Sequence, residues 1–325
     1  GGDSAGAARD VRDEVLITAG RLGLGEAARQ RLADGPAAAG RPSVIGRIRH
    51  SLRDRHRYHV MVWRYRSARD IVPAAAESEA LPLADAVDRL AAVLPGQIEL
   101  MGGVGRPGLV ELILPEEALD EGFAELSLWP RFPWFSLGRK QHLVVRPLER
   151  HEEPALHAAW AERWRRLDGR PVSESVVCVC GRDDQHQAAL GASFDSDPGL
   201  AALALAGSPR SAAPVADAYK VAVASGVPMM LWQRGSPACP RADGGVCGVP
   251  GQGACPGGGF LAELCAGLTG TGRDDLPERV TRMRNDARKA PPGGGGLGGE
   301  IVLLWDDPHR LIPQPPLAPA EEGQP

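Results

Sequence analysis

The stretch 301–311, IVLLWDDPHRL, sets five apolar residues directly against two adjacent carboxylates, a proline and a histidine. A short run that apolar, cut off by Asp306, Asp307 and Pro308, predicts a buried strand over residues 300–305 whose C-terminal end delivers charge to a sheet edge. Ligands bind at such edges in open α/β sheets. Two other strands end the same way: VVCVCGRDD (176–184) and VPMMLWQR (227–234). As parallel neighbours of the last strand they would bring Arg234, Asp306 and Asp307 together, with His309 alongside and Cys180 and Asp183 within reach. An arginine beside two carboxylates keeps them ionised, which suits pairing better than general acid catalysis. The favoured reading is therefore a clasp in which Arg234 pairs with Asp306 or Asp307 and the aspartates cap the following turn. The alternative is a hydrolase or ligand site made of the same three residues.

Working outward, the pattern alternates strands and helices. Residues 58–67 (YHVMVWRYRS) alternate apolar and polar as a strand with one wet face. Helices are expected over 83–94, 154–167, 214–224, 260–268 and 276–289, and strands over 97–101, 109–114, 141–146, 175–180 and 227–234. Residues 115–126, PEEALDEGFAEL, carry proline and two glutamates in what reads as the first turn of a helix. Residues 11–32 suggest two short glycine-broken helices, and 235–259 a long loop. The fold class is α/β: a layered mixed sheet with helices on both faces, more antiparallel early on, plus a short helical N-terminal segment. The expected units are an N-terminal segment and linker (1–41), an α/β domain (42–313) and a disordered Pro-rich, acidic tail (314–325).

Composition narrows the function classes. The 325 residues are 43% hydrophobic, enough for a substantial core. A formal charge of −4 supplies no global basic field and argues against nucleic acid. No apolar stretch approaches the ~20 residues needed to span a bilayer. The opening GGDSAGAARD has no signal-peptide pattern and no methionine, as expected of a segment cut from a longer polypeptide, so a cytoplasmic location is expected. The strongest local positive patch is residues 45–59, IGRIRHSLRDRHRYH, a solvated face or a dock for an acidic partner.

No residue set announces a reaction, so no catalytic residue, cofactor or metal is assigned. Cys239, Cys247, Cys255 and Cys265 are separated by seven, seven and nine residues, without the short paired knuckle of a structural zinc site. The glycine runs 102–108 and 293–299 lack the features of a phosphate loop. Cys178 and Cys180, two apart on a strand, point to one face and read as small core residues. Seven tryptophans mostly fall in predicted elements as core anchors. Trp232 and Trp305 join the candidate partner or ligand site, and one or two exposed tryptophans would mark a protein interface.

The order GLVELILPEEAL, SLWPRF, LGRKQHLVVRPLER, GVPMMLWQR, a cysteine-bearing segment, DDLPERVTRMRNDAR and VLLWDDPHRL resembles the C-terminal domain of the vWA-MoxR-associated proteins (VMAP), from about residue 58 to 313. The family-like positions are Glu111, Leu114, Pro115, Trp129, Arg146, Trp232, Arg234, Cys255 or Cys265, Leu276, Pro277, Arg282, Trp305, Asp306, Asp307 and Pro308. The resemblance implies a cytoplasmic regulatory or adaptor module of bacterial conflict systems. Its partners would be a vWA-domain protein and a MoxR-type AAA+ ATPase, with an effector fused in the longer polypeptide. The family brings no catalytic residues to carry over. The lengthened Cys/Gly loop and GGGGLGG are departures from its pattern.

Overall fold

The final apolar run forms the expected buried strand, and it sits in the middle of the sheet. The computed structural model describes residues 41–102, 107–129, 131–180, 185–211, 213–234, 256–289 and 300–312. Nine strands make one mixed sheet: β1 (Ser43–His50), β2 (Tyr58–Ser67), β3 (Asp70–Ala76), β4 (Leu109–Leu114), β5 (His142–Pro147), β6 (Val176–Val179), β7 (Ala202–Leu205), β8 (Met229–Gln233) and β9 (Ile301–Trp305). Their spatial order is β3-β2-β1-β4-β5-β9-β8-β7-β6. The first three are an antiparallel meander, β1, β4 and β5 are parallel, and β6, β7 and β8 form a second parallel group. Strand β9 joins the halves, parallel to β5 through Val145↔Leu304 and antiparallel to β8 from Met229↔Trp305 to Gln233↔Ile301.

Strand alternation splits the apolar residues between two faces. Val110, Leu112, Leu143, Val145, Met230, Trp232 and Leu304 face one layer. It is covered by α1 (Leu83–Leu100), α5 (Gln187–Ser196) and α6 (Ala213–Ala224). Val144, Met229, Leu231, Ile301, Leu303 and Trp305 face the other. There they meet α4 (His157–Arg166), α7 (Pro256–Gly267) and α8 (Leu276–Ala287). The short helices α2 (Leu137–Lys140) and α3 (Leu148–Glu152) flank β5. The α/β class, the mixed sheet and helices on both faces are thus as expected. A third cluster, with Ile45, Trp63, Tyr65, Ile113, Leu148 and Ile312, lies on the second face over the antiparallel end.

Several local readings differ. The strand expected at 97–101 is the end of α1, because Leu90, Leu94 and Ile98 are buried at four-residue spacing and carry the helix through Pro95. The helix expected from Pro115 is two 3₁₀ turns, Glu116–Ala118 and Phe123–Glu125, divided around Gly122. Residues 256–259, assigned to the long loop, begin α7. Strands β1, β3 and β7 and helix α5 were not anticipated, and 102–108 follows a helix instead of joining two strands. The expected N-terminal helices, the 293–299 spacer and the tail from 313 lie outside the described residues.

Candidate functional site

On the second face, where the parallel strands β4 and β5 meet the end of β9, charged side chains interrupt the apolar layer. Register places Glu111 opposite Val144 and Ile113 opposite Arg146, so Glu111 and Arg146 project to the same face two positions apart. The turn after β9 adds Asp306 and Arg310, α3 adds Arg150 and His151, and β1 adds Ser43. Glu111, Arg146, Arg150 and Asp306 are wholly buried.

Arg146 is the hub. Its Nε donates to Asp306 Oδ1 at 2.7 Å, and its Nη1 donates to Glu111 Oε2 at 3.0 Å and to the Arg310 carbonyl at 2.8 Å. Its Nη2 donates to the Asp307 carbonyl at 3.0 Å. Arg150 Nη1 takes the other Asp306 oxygen at 2.8 Å, and its Nη2 reaches the carbonyls of Val223 and Val227. Arg310 donates to Glu111 Oε1 from Nε at 3.0 Å and also to Ser43 Oγ, which itself donates to Glu111 at 2.6 Å. Trp160 Nε1 donates to the Asp306 carbonyl at 2.7 Å. Two carboxylates thus face three guanidiniums in forked, charge-assisted geometry.

Burial alone would raise both carboxyl pKa values, but the adjacent guanidiniums outweigh it. Asp306 is held far below the usual range by Arg146, His151 and Arg150, and Glu111 is lowered by Arg310 and Arg146. His151 Nε2 lies 3.4 Å from Asp306 Oδ1. Burial and the Arg146 charge lower the His151 pKa to about 4, leaving the imidazole neutral at physiological pH. A carboxylate kept ionised and sealed from solvent cannot deliver a proton to a substrate. The cluster is a clasp that ties β1, β4, β5, α3 and the β9 turn together.

The convergence of Arg234 with Asp306 and Asp307 does not occur. Strands β8 and β9 are antiparallel, so Arg234 lies beside Glu300, its N–H donating to the Glu300 carbonyl at 3.0 Å. Six residues of extended chain separate Glu300 from Asp306, about 20 Å at the strand rise. Arg234 pairs instead with Glu125 and Glu300, each at 3.2 Å, on the partly exposed rim. The aspartates do form a clasp and a cap, with other partners: Arg146 and Arg150 hold Asp306, while Asp307 Oδ1 accepts the His309 N–H at 2.9 Å. His309 is exposed. Trp232 is fully buried, and Trp305 is a core residue whose Nε1 donates to the Arg273 carbonyl while its ring meets Trp164 edge-on at 5.3 Å. Cys239, Cys247, Cys255 and Asp183 lie outside the described residues. Cys265 is described, with its Sγ 3.4 Å from Cys178 Sγ, a contact that their separation in the chain does not announce.

Four members of the clasp, Arg150, His151, Arg310 and Ser43, were not anticipated. The available signal was a lone charge inside an apolar strand, Glu111 in LVELIL and Arg146 in HLVVRP, since such a charge demands a buried partner. A family model described as the vWA-MoxR associated protein C-terminal domain matches residues 56–308. The chain belongs to that family. Searches of curated proteins and of solved structures find no match. Glu111, Arg146, Arg150, His151 and Asp306 fall inside the VMAP C-terminal match, whereas Ser43 and Arg310 close the clasp from just beyond its two ends. Among the described residues no helix is long and apolar enough to cross a membrane.

Proposed function

We propose that this VMAP C-terminal domain is a non-catalytic, cytoplasmic regulatory or adaptor module that couples an effector to a vWA/MoxR-type AAA+ ATPase assembly. The observation that carries the reading is an exposed aromatic loop. Between the bridged residues Ser127 and Ser136, Trp129, Phe132 and Trp134 are 37%, 46% and 57% exposed. Trp129 packs on Phe135 and Phe132 edges against Trp134, with ring centroids 5.0 and 5.6 Å apart. Aromatic side chains lose little conformational entropy on docking and dominate binding hot spots, so clustered exposed rings suit a protein partner. The buried clasp supports the same reading, because its charged groups are spent on one another instead of facing a substrate.

Pull-down of a vWA-domain protein and a MoxR-type ATPase by the purified chain tests this reading. Association at micromolar concentration is expected, weakened at least about tenfold, a loss of ~1.4 kcal/mol or more, in the Trp129→Ala/Trp134→Ala variant. Failure of the wild type to bind either protein would defeat the proposal.

A further inference from the structure

Six arginines are buried among the described residues: Arg47, Arg146, Arg150, Arg163, Arg284 and Arg310. Five donate to oxygens: the clasp members as above, Arg163 to the carbonyls of Ser225, Asp197, Leu200 and Phe194, and Arg284 to those of Ile301 and Leu143. Arg47 is the exception. It is 1% exposed, yet its hydrogen bond goes to a thioether, Nη2 to Met61 Sδ at 3.2 Å. Its Nε has no hydrogen-bond partner. The guanidinium lies 4.9 Å from the Trp63 ring centroid, a contact that orients the cation without neutralising it. Burial and neighbouring Arg49 pull its pKa down to about 10, against a weaker opposing pull from Glu152, and it is still charged at neutral pH. A buried cation without an ion-pair partner is costly, and an anion placed beside it repays that cost.

The space for such an anion is present. Arg47 lines a cleft of about 780 Å³ between the end of β1 and α3. Arg49, Arg55 and Glu152 also line it, so its three arginines and one carboxylate leave two net positive charges. Glu152 is engaged by Arg49 at 3.6 Å and attracts Arg47 only at longer range, so neither Arg47 nor Arg55 has an ion-pair partner among the described residues. Leu52, Leu311 and Ile312 give the cleft an apolar side. His151 lines the cleft and also lies 3.4 Å from Asp306 of the clasp.

We propose that this cleft binds a small organic phosphate, with Arg47 as the buried anchor for the phosphoryl group, Arg55 at the mouth, and the organic portion against Leu52 and Leu311. A phosphoryl dianion matches the two net charges, and guanidinium forks bind its oxygens in pairs. The site lies in the basic run 45–59, and it stands independently of the adaptor reading.

Calorimetric titration of the full chain at low salt with inorganic phosphate, a nucleoside monophosphate, a sugar phosphate and acetate tests the assignment. Saturable binding of inorganic phosphate is expected at millimolar or lower concentration, tighter for whichever ester fits the apolar side, with acetate at least about tenfold weaker. Arg47→Met is expected to lower phosphate affinity about tenfold or more while raising the melting temperature in phosphate-free buffer, because the unpaired buried charge is gone; Arg47→Lys should fall between. If Arg47→Met does not fold, exposed Arg55→Ala serves, with a several-fold loss expected. Unchanged affinity in Arg47→Met or Arg55→Ala, acetate binding as tightly as phosphate, or no heat of binding by the wild type would each overturn the proposal.

Discussion

At the residue scale, Asp306 and Arg234 show how differently the same type of pair behaves with burial. Asp306 receives two guanidiniums in a dry interior, where a charge left without its counter-charge is expensive. Asp306→Asn keeps the shape and the acceptor oxygen but leaves Arg150 without a carboxylate partner and Arg146 with Glu111 as its one carboxylate. The expected loss of unfolding free energy is about 3–5 kcal/mol. Glu125→Gln at the rim removes a charge from Arg234 where solvent and Glu300 remain, and should cost no more than about 1 kcal/mol. Urea unfolding of the two variants, side by side, measures both. Equal costs would show that the clasp is not energetically distinct from a surface pair.

At the element scale, helix α4 reaches the clasp only because the turn before β8 lacks a side chain. Gly226 has φ +78°, and a Cβ there would stand 2.5 Å from the Trp160 backbone nitrogen and 2.6 Å from the Ala159 carbonyl carbon. That close approach lets Trp160 donate to the Asp306 carbonyl. Gly226→Ala meets both a left-handed backbone and rigid backbone atoms, so a loss of at least about 2 kcal/mol is expected by chemical denaturation. Hydrogen exchange should localise the loosening to α4 and the start of β8. The same elements show what could be read from the chain and what could not. Runs such as LVELIL, MMLWQ and IVLLW are apolar enough to declare strands without their neighbours, and the HAAWAERWRR helix declares itself by Trp160 and Trp164 on one face. Strand direction is not encoded in any run: IVLLW is equally apolar beside a parallel or an antiparallel partner, and that choice decided whether Arg234 met Asp306. The alanine-rich ALAL and the arginine-studded SVIGRIRH hid their strands, because one lacks β-branched residues and the other carries charges that the fold buries. In the clasp, Asp306 was legible as a charge at a strand end. Arg150 was not, since its partner lies 156 residues away and only the fold brings them together.

At the scale of the whole molecule, the buried ionisable groups set the order in which acid unfolds it. Asp306 and Glu111 have folded pKa values below their ordinary ones, so the stability they contribute is present above the unfolded carboxylate range and is lost only as pH falls through the folded values. The histidines respond earlier. His142, buried beneath α8 with Nδ1 3.1 Å from Thr281 Oγ1, and His151 in the clasp are each lowered from 6.5 to about 4, chiefly by burial, with Arg41 and Arg146 respectively adding to the effect. Between those values the unfolded chain binds both protons and the folded chain neither, so stability rises with pH across this window and falls as pH drops from 6.5 towards 4. Two protons correspond to a slope approaching 3 kcal/mol per pH unit, roughly, near pH 5. Urea midpoints measured from pH 7.5 to 4 should show this slope, and His142→Gln should about halve it, because one of the two protons is then absent from both states. His142 is the informative position, since it stands apart from the clasp and its replacement leaves Asp306 fully paired. A pH dependence unchanged in His142→Gln would mean that acid lability across this window arises at His151 in the clasp instead, and would move the first step of acid unfolding from the contact with α8 to the β9 turn.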